Sequence, residues 1–214
     1  MYNLPQYVEK DAAELLSFMQ QHPFATLIGS DADGCPVATQ VPLLIRKEGE
    51  EIRLLGHIMR KTDHHLAFEQ NPRVLALFTS PHCYVSPSWY SNQRSGGTWN
   101  YMTVHARGTV SFTSDAELAA ILRETQNSFE NNPASPSNFE QLSEGYVAPL
   151  LKAIVGFEIK ITSLEAVFKL SQNRDEASYH NIIHHLKQGS SDAQYIASAM
   201  EQRASQLFKK DTNS

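Results

Sequence analysis

Two adjacent cations, Arg60 and Lys61, follow the apolar run "EIRLLGHI" and precede "TDHHLAFEQ". A phosphate is well served by such a pair. Arginine gives a planar fork of donors, lysine a point charge, and the start of a helix adds oriented backbone N–H groups. A solvated basic pair on a surface turn would look the same in sequence. A second group lies in "TWNY", where Trp99, Asn100 and Tyr101 combine stacking faces with an amide that donates and accepts. A flat heteroaromatic ligand would use both, and a subunit interface would use the same rings as anchors. A third group is "KLSQNR" (169–174), with Lys169, Gln172, Asn173 and Arg174 crowding the end of an apolar strand. It reads either as a turn in which Asn173 caps the next helix or as a ligand or subunit junction.

Other chemistry is less well supported. Of nine histidines, His180 and His184 share a helix face and His64-His65 adjoin. A metal would need a third ligand and supporting partners, and no HExxH is present, so these read as surface and packed histidines. There is no GxxxxGK[ST], no GxGxxG after a strand and no GxSxG. Cys35 and Cys83 have no CxxC spacing and read as reduced structural thiols.

These groups need elements to hold them. Residues 11–21 read as a helix and 24–30 as a strand turning at "DADG" (31–34) into a return strand over 36–46. With 51–58 this predicts an antiparallel meander. A short helix over 60–72, a buried strand over 73–80 and a short extended stretch, "HCYVS", follow. A long strand over 98–113 leads to a helix opened by a capping box, Ser114 with Glu117. "NNPASPSN" reads as a loop, 138–152 as helical, and 153–170 as one or two strands. Helices over 174–188 and 191–210 end the chain. Between strands lies "YVSPSWYSNQRSGGTWNY" (84–101), which holds Tyr84, Trp89, Tyr90, Trp99 and Tyr101 on a stretch broken by proline and glycine. A loop with so many aromatics presents them to something.

The composition bounds the function. At 214 residues and 41% hydrophobic, the chain suits one large globular domain. No apolar run reaches a membrane span, and the first residues show no signal peptide, so the expected setting is cytoplasmic without membrane contact. The formal net charge of −5 argues against strong autonomous DNA binding, and no helix-turn-helix is visible.

The segments "PHCYVSPSWY", "TWNYMTVHARG", "AIVGFEI" and "FKLSQNR", in this order, resemble the PaiB-like FMN-binding negative transcriptional regulators. The resemblance covers about residues 1–187. Phe168 stands where the family pattern has a Trp, and Gln40 where it has a His. The segment "GHIMRKTDHHLAFEQNPRVLALF" is in turn similar to the pyridoxamine-phosphate-oxidase-like split barrels. The resemblance implies a mainly β, α+β fold: an antiparallel split β-barrel over residues 1–187, with residues 188–214 as a C-terminal helical extension of the same domain. It implies FMN at a homodimer interface. The phosphate would lie on Arg60, Lys61 and Thr62, and the strand Leu55, Gly56 and His57 along the flavin. Trp99, Asn100 and Tyr101 would reach it from the partner subunit, with Lys169, Ser171 and Gln172 closing the site. The functional expectation is an FMN-binding regulator carrying the family's repressor label. One alternative is an FMN-dependent oxidoreductase acting on a small molecule or NAD(P)H, with His57 or His105 at the substrate. A second is a haem-handling split barrel.

Overall fold

A computed structural model describes residues 1, 4–132 and 134–208. Its elements are β1 (Val8–Glu9), α1 (Ala12–Gln21), β2 (Phe24–Ser30), β3 (Pro36–Pro42), β4 (Leu44–Glu48), β5 (Glu51–Met59), α2 (Asp63–Gln70), β6 (Arg73–Thr79), β7 (Cys83–Val85), β8 (Thr98–Phe112), α3 (Asp115–Glu130), α4 (Glu144–Ala153), β9 (Ile154–Lys169), α5 (Glu176–Leu186) and α6 (Ser191–Leu207). They fall into two compact units. One comprises residues 12–78 and 105–164; the other comprises residues 1–11 and 79–104 and the chain from 165 on.

In the first unit the strands run in the order β3-β2-β6-β8-β9-β5-β4, an open sheet among the described residues. β2 and β3 form a hairpin from Phe24↔Pro42 to Ser30↔Pro36. Its turn is the expected one. The Asp31 carboxylate accepts from the Asp33 and Cys35 N–H groups at 3.0 and 2.8 Å, and Gly34 takes φ +83°, which a side chain would strain. The single return strand and the meander expected from sequence are corrected. The strand breaks at Leu43, so Pro42 pairs with Phe24 while Leu44 pairs with Leu55 of β5. Proline lacks the N–H to continue a ladder, and Leu43, 1% exposed, instead donates its N–H to Pro23 O at 2.9 Å. β3 and β4 therefore stand at opposite ends of the strand order.

α3 packs on β4 and β5 through Ile121, which clusters with Leu44 and Leu55. Its capping box, Ser114 with Glu117, is formed as the sequence predicts. α2 packs on β2, where Gly29 leaves room for Phe68: a Cβ there would lie 2.6 Å from the ring. The region expected as one helix over 138–152 divides into a 3-10 turn at Phe139–Gln141 and α4. Pro133 of the expected loop lies outside the described residues.

In the second unit β7 pairs with the start of β8, Cys83↔Asn100, and β1 with the end of β9, Val8↔Val167. β9 is one strand, not two. α5 and α6 pack together, with the Tyr179 hydroxyl donating to Met200 O at 2.9 Å. The α5 cap is Asp175 rather than Asn173: its carboxylate accepts from the Ser178 N–H at 2.9 Å, and Asn173 lies in the preceding turn. Lys209 and Lys210 of the expected last helix lie outside the described residues.

Candidate functional site

β5 ends at Met59, and the next residues form a tight turn into α2. The Arg60 N–H donates to Ala153 O at 2.9 Å. Lys61 takes φ +63°, in the left-handed region that residues other than glycine seldom adopt. Its N–H donates to His65 Nδ1 at 3.2 Å. Thr62 caps α2, accepting from the His65 N–H at 3.4 Å and donating to Met59 O at 3.0 Å. Asp63 accepts from the His64 N–H at 2.8 Å and faces the His64 ring at 3.0 Å; these bonds hold its carboxyl below the usual range. The two cations remain available. Arg60 has one long contact, 3.5 Å to an exposed Asp115, and such a surface pair holds it weakly. The Lys61 ammonium has no hydrogen bond or ion pair among the described residues.

A cleft of about 290 Å³ opens beside this turn, lined by Thr39 and Gln40 of β3, His57 and Met59 of β5, and Thr62 and His64. His57 Nδ1 is buried without a partner, and burial lowers the pKa of the ring. An unsatisfied nitrogen on a side chain that lines a cleft is a point where a ligand hydrogen bond would be gained. His57, Arg60, Lys61 and Thr62 thus share one end of β5. Leu55 and Gly56 do not line the cleft: Leu55 packs with Leu44 and Ile121, and a Cβ on Gly56 would meet the Phe157 ring at 2.8 Å. Thr39, Gln40 and His64 line it without having been singled out from sequence as ligand contacts. The one available signal was Gln40, a departure from the family pattern.

The remaining predicted residues lie in the other unit, and most are bonded to one another. Lys169 Nζ donates to Trp99 O at 2.8 Å and to the Thr98 hydroxyl, and burial, followed by the nearby Arg174, lowers its pKa. Asn100 is fully buried. Its Oδ1 accepts from Ser171 Oγ at 3.0 Å, and its Nδ2 faces Met200 Sδ at 3.4 Å. Gln172 Oε1 accepts from the Leu170 N–H at 2.7 Å, and Nε2 donates to Phe168 O. Ser171 sits at φ +62°.

The aromatic stretch divides. Tyr90 is buried beneath the Arg174 guanidinium, 3.9 Å from its ring centroid, and Trp89 stacks on His185 at 5.0 Å. Trp99 and Tyr84 are 53% and 49% exposed. Trp99 and Tyr101, with Ser80, His82 and Met102, line a largely apolar hollow of about 240 Å³. Gly97 lets the Tyr84 ring lie against its backbone, since a Cβ there would fall on the Tyr84 hydroxyl.

Among the described residues no three His, Cys, Asp or Glu gather as metal ligands. Cys83 is buried and its thiol pushed up to about 11, so it is a poor nucleophile. No described helix is long and apolar enough to cross a membrane.

A family model described as "Putative FMN-binding domain" matches residues 1–163. The protease synthase and sporulation protein PAI 2 of Bacillus subtilis is 35% identical over 202 residues, covering 94% of this chain and 97% of that protein. A flavocytochrome of Azotobacter vinelandii shares the fold with a TM-score of 0.60 at 15% identity, over 78% of this chain and 72% of that one. An FAD- and haem-binding protein of Mycobacterium smegmatis does so with a TM-score of 0.55 at 16% identity, over 76% and 73%.

Proposed function

The chain belongs to the FMN-binding domain family matched over residues 1–163, and from that premise we propose a regulator of the PAI 2 kind that carries FMN at the interface of a homodimer. The observation that supports the site is the turn after β5, where the Lys61 ammonium has no partner among the described residues and Arg60 has only one long contact, to Asp115, beside a cleft lined by His57, whose Nδ1 is unpartnered. These residues fit the cofactor. Arg60 and Lys61 would carry the phosphate, Thr62 would hold the turn that presents them by capping α2 and donating to Met59 O, and His57 would meet a polar atom further along the flavin. Trp99 and Tyr101 would supply ring faces from the partner subunit. Asn100, Lys169, Ser171 and Gln172 would fix the backbone that presents those rings. When bound, the isoalloxazine supplies redox chemistry; the protein's own part is to orient it and exclude water.

The regulator reading is supported by 35% identity to a sporulation protein along nearly its whole length. With a net charge of −5, regulation would act through a patch formed by the dimer or through a protein partner. A second reading, flavin-dependent oxidoreduction, is favoured by the apolar hollow beside Trp99, which could admit a second reactant.

The test is titration of the purified protein with FMN, followed by absorbance, with light scattering to give the oligomeric state. Saturable FMN binding by a dimer is expected. A monomer that binds no FMN would overturn the proposal. Bleaching of the bound flavin by NADH or NADPH would favour the oxidoreductase, retardation of DNA without such bleaching the regulator, and a Soret band the haem alternative.

A further inference from the structure

A second cleft, of about 610 Å³, lies on the first unit and shares no lining residue with the cleft beside the Arg60-Lys61 turn. Strand alternation builds it. On β6 Val74, Ala76 and Phe78 are buried, which turns Arg73 and Leu75 outward. On β8 Ala106 and Val110 are buried, which turns Arg107 and Thr109 outward. The two strands are neighbours, and the Val110 N–H donates to Pro72 O at 2.8 Å, setting the start of β6 against this part of β8. Ile28 of β2 pairs with Leu75 and completes an apolar floor.

Two arginines therefore stand on one open face of the sheet, and no acidic residue lines the cleft. The carboxylates on the neighbouring strands are committed elsewhere. Glu51 pairs with Arg53 and Lys160, and Glu158 with Arg53. Asp31, next to Ser30, holds the β2–β3 turn. The Arg73 guanidinium has no hydrogen bond or ion pair among the described residues. The rim is already fixed: Asn71 Nδ2 donates to Ser30 Oγ at 2.8 Å, and Asn71 Oδ1 accepts from the Arg73 N–H at 3.4 Å. Ser30 keeps its own hydroxyl proton to donate. Like charges on adjacent strands repel. An anion bound at both would remove that repulsion, and each guanidinium offers a planar fork of donors to a carboxylate or a phosphate.

We propose that this cleft binds a small amphipathic anion, with a phosphate or carboxylate on Arg73 and Arg107 and an apolar body on Ile28 and Leu75. The Ser30 and Thr109 hydroxyls stand on the cleft wall as further donors. The size suits a small molecule, since ligand clefts run from about 300 to 1,000 Å³. In a chain of net charge −5, this face is a local exception, and it owes nothing to the FMN reading.

The experiment is equilibrium dialysis of the full chain against 1-naphthyl phosphate and 1-naphthoate. Naphthol, which lacks the charge, and inorganic phosphate, which lacks the apolar body, are run beside them. Saturable binding of a naphthyl anion is expected, tighter than that of either control, and the tighter anion tells phosphate from carboxylate. It should survive Arg60→Ala with Lys61→Ala. Arg73→Gln and Arg107→Gln should each weaken it by about tenfold, and added salt should weaken it further. A thermal melt checks folding, and Arg73→Gln should melt no lower than wild type because it relieves a repulsion. Binding lost with Arg60 and Lys61 but kept in the Arg73 and Arg107 variants would put the anion at the β5 turn and overturn the proposal. Naphthol bound as tightly as the anions would reduce the cleft to an apolar surface. Failure of both anions to bind would overturn it too, and a dimer that dissociates on Arg73→Gln would then make this face a subunit contact.

Discussion

Two polar clusters follow strands in this protein and look alike in sequence: "MRKTDHH" after β5 and "KLSQNR" at the end of β9. The structure separates them. In the second, Lys169, Ser171, Gln172 and the facing Asn100 all hold hydrogen bonds to one another or to nearby backbone and sulfur. In the first, the Lys61 ammonium, like Nδ1 of the nearby His57, has no such partner among the described residues, and Arg60 has a weak one. A polar group already bonded inside a protein stabilises the fold, whereas one left open can be completed by a ligand. Residue type and spacing report the presence of such groups but not their partners.

The comparison breaks most visibly at the open cluster. Replacing both Arg60 and Lys61 by Ala should weaken FMN binding by about 100-fold or more, since two charge-assisted contacts of about 1.5–3 kcal/mol each are lost. The melting temperature should barely move. Unchanged affinity in an absorbance titration would show that the open groups are not the cradle.

The closed cluster should respond in the opposite way. Asn100→Ala removes the partner of a buried Ser171 hydroxyl and should cost about 2–3 kcal/mol of stability in urea unfolding. Any effect on FMN should follow from that loss. A stable variant with selectively weakened FMN binding would assign Asn100 to the ligand. A smaller cost, about 1–2 kcal/mol, is expected for Gly56→Ala, because the new Cβ would press on Phe157 and Leu43. This sharpens the reading of Gly56 as a packing position.

The smallest expected effect concerns pH. Burial lowers the pKa of both His57 and His22. The folded state therefore binds fewer protons than the unfolded chain, whose histidines titrate near about 6.5. Their contribution to stability is present above that pH and is lost as pH falls through it. Urea midpoints should decline from pH 7 to 5, and His57→Gln should flatten the decline. An unchanged slope would show that His57 does not report on its burial.

The fold was largely legible because its signals are local. Runs of strand-forming residues marked β2, β5, β6 and β8, and Ser114 with Glu117 announced α3. The break at Leu43 was hidden, since "VPLLIR" stays apolar through it and only long-range pairing decides which neighbour each half takes. The cap of α5 fell to Asp175 because two cap-forming residues, Asn173 and Asp175, stand within "NRDE", and only the geometry of Ser178 selects between them. In the site, the Arg-Lys pair was visible as a pair of charges. His64 was visible only as one of two adjacent histidines, and its place on the cleft wall depends on how α2 packs.

The break at Leu43 also bears on how the sheet assembles. Hairpin β2–β3 ends one residue before it and hairpin β4–β5 begins one residue after it. Both are short-range and can form within microseconds of collapse. The pairing of β5 with β9, Arg53 opposite Lys160, must wait for a loop of about a hundred residues to close, and that entropy is lost before the contact is gained. Two early hairpins joined at one buried leucine would give the late strands a template already in register.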